Sequence, residues 1–103
     1  MSIEEISVQA LHDLGAEASL VDVREDGEYA AGHVPHATHV PLGSVPEHVD
    51  SFGGSPTYVI CRSGARSMQA CEFLAAKGCS VVNVAGGTMA WVEAGFELQG
   101  GNA

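Results

Sequence analysis

Three short apolar runs constrain this chain more than any other feature. SLVDV at 19–23, TYVIC at 57–61 and SVVNV at 80–84 are each mostly apolar, with Asp22 their single charge, and are bounded by turn-forming residues. A strand with one wet face alternates apolar and polar residues, whereas a strand covered on both faces reads as a continuous apolar run. Stretches of helical spacing lie between and after them: Met68, Cys71, Leu74 and Ala75 share one face, and TMAWVEA follows the third run. Strand and helix in alternation predict an α/β fold, an open, mainly parallel β-sheet flanked by helices on both faces and joined by right-handed crossovers. At 103 residues the chain has room for one such domain, 1–103, and not for two.

The remaining segments can be placed around that sheet. Near the N-terminus, Ser2 and Glu5 have the spacing of a capping box, with Ile3, Ile6, Ala10, Leu11 and Leu14 at helical intervals. A short strand at Ile6 followed by a helix capped by Ser7 fits almost as well, and Gly15 is the stop in either case. A short helix is expected over Asp26–Ala31, ended by Gly32, then a turn at Val34 and Pro35 and a brief strand near Thr38–Val40 that Pro41 terminates. Ser44 and Glu47 predict a second capping box with Pro46 in the first turn, and SFGGSP reads as a loop. Gly78 and Gly95 are expected to end the two later helices, and 97–103 to fray.

Charge narrows the partners. Thirteen acidic residues against four basic ones give a net charge of −9, which repels phosphate backbones, so neither nucleic acid nor an anionic membrane is an expected partner. No apolar stretch approaches the roughly 20 residues of a membrane span, and MSIEEISVQA lacks the layout of a secretory signal, so a cytoplasmic location is expected. Cys61, Cys71 and Cys79 are odd in number and show no CxxC spacing, which argues against a disulfide framework or a zinc site. His33, His36, His39 and His48 form no tight ligand set; no metal and no cofactor is called for.

The four basic residues are Arg24, Arg62, Arg66 and Lys77, so half of the positive charge lies within a few residues of Cys61. A cysteine ending an apolar run is ordinarily a small core residue. Here the following segment opens a helix, whose first N–H groups lack intrahelical acceptors and favour an anion. Gly64 permits a loop whose N–H groups turn inward, while Arg62 and Arg66 favour thiolate over thiol and draw anionic substrates. CRSGARS therefore reads as a nucleophilic cysteine in an anion cradle, with Cys61 the nucleophile and Arg62, Ser63, Gly64, Ala65, Arg66 and Ser67 the binding loop. Cys71, on the apolar helix face, and Cys79, beyond its stop, read as structural, and Trp91 as a core residue.

LVDVRE with EYAAGHVPHATHVPL, CRSGARS, and NVAGGTMAWVEAG, in this order, resemble the signatures of the rhodanese-like sulfurtransferase family, in its single-domain form. His36 stands where the family more often has glycine, a departure that bears on the turn. The resemblance implies a rhodanese-like fold and a thiosulfate sulfurtransferase. Cys61 would take sulfane sulfur from thiosulfate or a related anionic donor as a persulfide, and pass it to cyanide, a thiol or a partner protein. It also places Asp22 and Arg24 beside the loop as supports, with Asp22 accepting from loop N–H groups or an arginine and Arg24 paired to Glu28. The short chain leaves little to cover the cysteine, so an exposed site is expected. Two other readings stand beside this one: a non-catalytic rhodanese binding or regulatory module, and a cysteine-loop phosphatase or arsenate reductase. The latter spaces cysteine and arginine by five residues; here four lie between Cys61 and Arg66, a cradle sized for one sulfur atom.

Overall fold

The order of strands in the sheet brings Cys61 to the centre of one end of the molecule. The structure, a computed structural model, describes residues 2–100. Strands β1 (Glu4–Ile6), β2 (Ser19–Asp22), β3 (Thr38–His39), β4 (Thr57–Ile60) and β5 (Val81–Val84) form one parallel sheet in the order β1-β5-β4-β2-β3. Helices α1 (Val8–Leu14), α2 (Asp26–Ala31), α3 (Ala65–Ala76) and α4 (Gly87–Glu93) alternate with the strands, which is the α/β arrangement the apolar runs predict. β4 lies between β5 and β2, so whatever follows β4 emerges mid-sheet at the carboxyl ends of its neighbours, where such sheets bind ligands.

The central strands are buried on both faces, and side-chain alternation decides which core each residue enters. Val59 and Cys61 pack with Val21, Val23, Ala70, Cys71, Leu74 and Phe52 on the α3 side. Ile60 goes the other way, to Val8 and Leu11 of α1, Val84, and Trp91 of α4. Full burial of a side chain such as Leu74 or Phe52 stabilises by about 1.5–3 kcal/mol before entropy is counted.

At the N-terminus the strand-then-helix alternative is the one that forms. Glu4–Ile6 covers an edge of β5, and the Ser7 hydroxyl oxygen accepts the Ala10 N–H at 3.1 Å as the cap of α1. Two expectations are corrected. Ser44 and Glu47 make no capping box; Leu42–Phe52 is a 3₁₀ segment that starts two residues earlier and is interrupted at His48. Its start is fixed by the Leu42 N–H donating to Val23 O at 3.0 Å, which ties it to the end of β2 before Ser44 is reached.

Nor do residues 97–100 fray. His33 and Gln99 exchange backbone hydrogen bonds of 3.0 and 2.7 Å, and the Trp91 indole N–H donates to Glu97 O at 2.8 Å. The rest of the expected frayed tail, 101–103, lies outside the described residues. His36 adopts φ 71°, the left-handed region a glycine enters freely, at a cost of roughly 1–2 kcal/mol for a residue with a Cβ. No helix among the described residues is long and apolar enough to cross a membrane.

Candidate active site

Cys61 is the first residue past β4, and the parity it shares with Val59 turns its side chain toward α3. The chain reverses over Arg62 and Ser63, and Gly64, at φ 110°, caps α3 in a conformation other residues adopt only with strain. The loop is held from behind by α4. The N–H and the hydroxyl of Thr88 both donate to Cys61 O, at 2.9 and 3.0 Å, and the Met89 N–H donates to Arg62 O at 3.0 Å. With these two carbonyls drawn toward α4, the N–H groups that follow are left to face the sulfur. The approach is close: a Cβ on Gly87 would stand 2.5 Å from Cys61 O and 2.6 Å from the Arg62 carbonyl carbon.

Cys61 is 1% exposed, so its sulfur lies beneath its loop, in place of the open site the short chain suggests; Arg62 and Ser63 are exposed. Gly64 N–H donates to Sγ at 3.0 Å and the Ser67 hydroxyl lies 3.3 Å from it. Burial pushes the Cys61 thiol up, but the Ser67 hydroxyl and the N–H groups of Ser67, Gly64 and Ser63 more than offset it, and the thiol is held below its ordinary value.

The arginines divide. Arg66 grips Glu28 of α2 with two hydrogen bonds of 2.7 and 2.9 Å, and this contact holds the Glu28 carboxyl down to about 2. Arg24 therefore does not pair with Glu28 as the sequence suggests, because Arg66 occupies that carboxylate. Its guanidinium instead binds the buried Asp22 through Nε and Nη2 at 2.9–3.1 Å and donates to Gly32 O at 2.8 Å. Asp22 also accepts the Arg24 N–H at 2.9 Å, and no loop N–H among the described residues reaches it. Arg62 makes no ion pair among the described residues and lines a cleft of about 510 Å³ with Thr88, Met89, Val92 and Leu98.

A family model described as a rhodanese-like domain matches residues 7–94. The chain belongs to the rhodanese-like family. It is 46% identical over 95 residues to "Putative sulfurtransferase YtwF" of Bacillus subtilis, covering 88% of this chain and 92% of that one. It is 36% identical over 85 residues to "Thiosulfate sulfurtransferase GlpE" of Pseudomonas entomophila, covering 81% and 78%. Among solved structures, a rhodanese-like domain protein from Staphylococcus aureus superposes with a TM-score of 0.86 at 34% identity, over 97% of this chain and 100% of that one. These relatives make the chain a rhodanese-like sulfurtransferase by kinship.

Several contacts of this rhodanese-like site go beyond what the sequence indicates. The Ser67 hydroxyl, Asn83 of β5, Thr88 and Gly87 all touch the loop or its neighbours, and Glu28 holds Arg66. The paired glycines before Thr88 are the one available signal, since a Gly-Gly opening a helix hints at a close backbone approach. The histidines have other engagements: His33 Nδ1 lies 2.9 Å from Tyr29 O with its ring stacked on Tyr29, and His39 Nε2 lies 2.8 Å from Arg24 O.

Proposed function

We propose that this protein transfers sulfane sulfur through a persulfide on Cys61, with thiosulfate or a related anionic sulfur compound as donor. The observation that carries the reading is the buried Cys61 sulfur receiving Gly64 N–H at 3.0 Å with the Ser67 hydroxyl at 3.3 Å, an arrangement that stabilises negative charge on sulfur without a separate base. The Cys61 thiolate attacks the outer sulfur of thiosulfate; an S–S bond forms to Sγ, the bond to the sulfonate sulfur breaks, and sulfite leaves with its electron pair. Cyanide or a thiolate then attacks the outer sulfur of the persulfide and returns Cys61 to thiolate, so charge balances in each half. The named activity of the Pseudomonas relative supports thiosulfate as donor.

In this reading Arg62 draws the dianion, because no carboxylate among the described residues is within ion-pair distance of it, while Arg66 spends its charge on Glu28 and braces α3 against α2. The buried Asp22–Arg24 pair acts one step further out, joining the end of β2 to the end of α2. A four-residue gap with Arg66 already engaged disfavours the phosphatase reading, which needs an arginine free to bind a tetrahedral oxyanion. The test is incubation with thiosulfate followed by mass spectrometry of the Cys61 peptide and by thiocyanate release on adding cyanide. One added sulfur, removable by thiol and absent in Cys61→Ser, is expected. Turnover that survives in Cys61→Ser would overturn the mechanism, and a Cys61 that never gains sulfur from any donor would leave the non-catalytic binding module as the better account.

A further inference from the structure

Behind the loop lies a polar chain, buried at Asn83 and Ser67, that the persulfide cycle does not by itself require. Asn83 sits in β5, 1% exposed, between Glu5 of β1 and the start of α3. Its Nδ2 donates to Glu5 Oε2 at 2.9 Å and to Gly64 O at 3.2 Å, and its Oδ1 accepts from the Ser67 hydroxyl at 2.5 Å. A carboxylate and a carbonyl can only accept, so the amide has one possible orientation, with Oδ1 toward Ser67. The Ser67 hydroxyl has a single proton, yet three acceptors surround it: Asn83 Oδ1, Cys61 Sγ at 3.3 Å and Gly64 O at 3.3 Å.

We propose that Asn83 is a positioning residue that competes with the Cys61 sulfur for the Ser67 hydroxyl proton, yielding it as charge builds on the sulfur and reclaiming it when the charge moves away. With Cys61 as thiol, S–H donates to Ser67 Oγ and Ser67 O–H donates to Asn83. Once the thiol proton has left to solvent, the thiolate is the stronger acceptor and Ser67 turns to it. When an outer sulfur is bound, the negative charge lies on that sulfur and no longer on Sγ, and Ser67 returns to Asn83. Ser67 is 0% exposed, so without Asn83 its donor would be left in two of these three states with only the longer contact to Gly64 O at 3.3 Å, and charge could leave Sγ only against that cost. Glu5 reinforces the competition, since accepting from Nδ2 enriches Oδ1.

The inference rests on Cys61 being the reacting sulfur, and its test needs no sulfur donor. Iodoacetamide alkylation of Cys61, located by mass spectrometry, is followed against pH in wild type, Asn83→Leu and Asn83→Ala, each also in a Ser67→Ala background, with folding checked by circular dichroism. Removing Oδ1 frees Ser67 for the thiolate, so alkylation below the midpoint of the profile is expected to accelerate by about three- to tenfold, with the midpoint moving to lower pH. In the Ser67→Ala background the Asn83 substitutions are expected to change nothing. If Asn83 were only a scaffold, loosening the loop would slow alkylation and move the midpoint up. That result, no shift, or a shift that persists without Ser67 would each overturn the proposal. Should Asn83→Leu not fold, Asn83→Ala decides by the same criteria. A wild type that alkylates as expected but accepts no sulfur would sink the sulfur-transfer reading and leave the role of Asn83 standing.

Discussion

Cys61 and Cys71 lie in the same apolar cluster, at 1% and 0% exposure, yet their thiols are shifted in opposite directions. Burial drives the Cys71 thiol up to about 12, with the charge of Glu72 adding to it, whereas Cys61, equally enclosed, is held below its ordinary value. The difference is the supply of donors. Cys71 is mid-helix on α3, where every nearby N–H is committed to the helical ladder. Cys61 precedes the same helix, where the N–H groups are uncommitted and a hydroxyl stands one turn in. Burial alone disfavours the thiolate; burial among unspent donors favours it.

The widest separation between the two should come from deleting each in turn. Cys61→Ser is expected to lower sulfur transfer by at least about a thousandfold, since the covalent intermediate is lost. Cys71→Ala is expected to leave turnover unchanged and to cost about 1 kcal/mol in urea unfolding, from the small cavity it opens. Comparable losses of activity from both would mean that the cluster, and not the donor set, makes the site.

A smaller effect is expected from Gly87→Ala, which acts on only one member of the pair. Its Cβ would meet the backbone of Cys61 and Arg62 at 2.5–2.6 Å, and backbone cannot rotate out of the way. The loop must shift, with activity falling by about a hundredfold and stability by about 1–3 kcal/mol. Cys71 should stay inert to alkylation in the folded variant; exposure of Cys71 would show that the whole cluster had opened.

The same contrast explains what the sequence could disclose. The apolar runs identify three central strands because burial on both faces favours apolar side chains along them, and Cys61 stands out because arginines are scarce in so acidic a chain. Contacts between elements distant in sequence leave weaker traces. Nothing local marks Glu28 as the partner of Arg66, thirty-eight positions away, over the nearer Arg24, or joins Asn83 to Ser67 across β5 and α3. The Ser44 capping box fails for a related reason: a backbone bond from Leu42 to Val23 sets the register before the local signal can act. Gln99 likewise reads as tail composition and is fixed only by pairing with His33.

Ser67→Ala narrows the difference between the cysteines by removing the side-chain donor while keeping the Gly64 N–H. A hydrogen bond to a charged acceptor contributes about 1.5–3 kcal/mol, so alkylation of Cys61 at neutral pH should slow by roughly ten- to a hundredfold, with its profile displaced toward higher pH. An unaltered profile would mean that the backbone N–H groups suffice.

The smallest effect concerns Glu28, and its two consequences should run in opposite directions. Its folded value of about 2 lies below the ordinary 4.5, so its contribution to stability is present above about 4.5 and is lost as pH falls toward 2. Both side chains of the pair are roughly a third exposed, which limits that contribution to about 1 kcal/mol or less. Glu28→Gln should therefore unfold at slightly lower temperature than wild type at neutral pH, with the gap closing between pH 4.5 and 2. The same substitution leaves the Arg66 charge unpaired; the Arg66 value is raised chiefly by its hydrogen bonds to Glu28 and, to a lesser degree, by charge on the Cys61 sulfur. Interaction between two charges is mutual, so the freed guanidinium should favour the thiolate and speed Cys61 alkylation by up to about fivefold, while Cys71 stays silent. A variant both less stable and less reactive would show that Glu28 serves Cys61 by bracing the loop, and that the charge of Arg66 reaches the sulfur too weakly to matter.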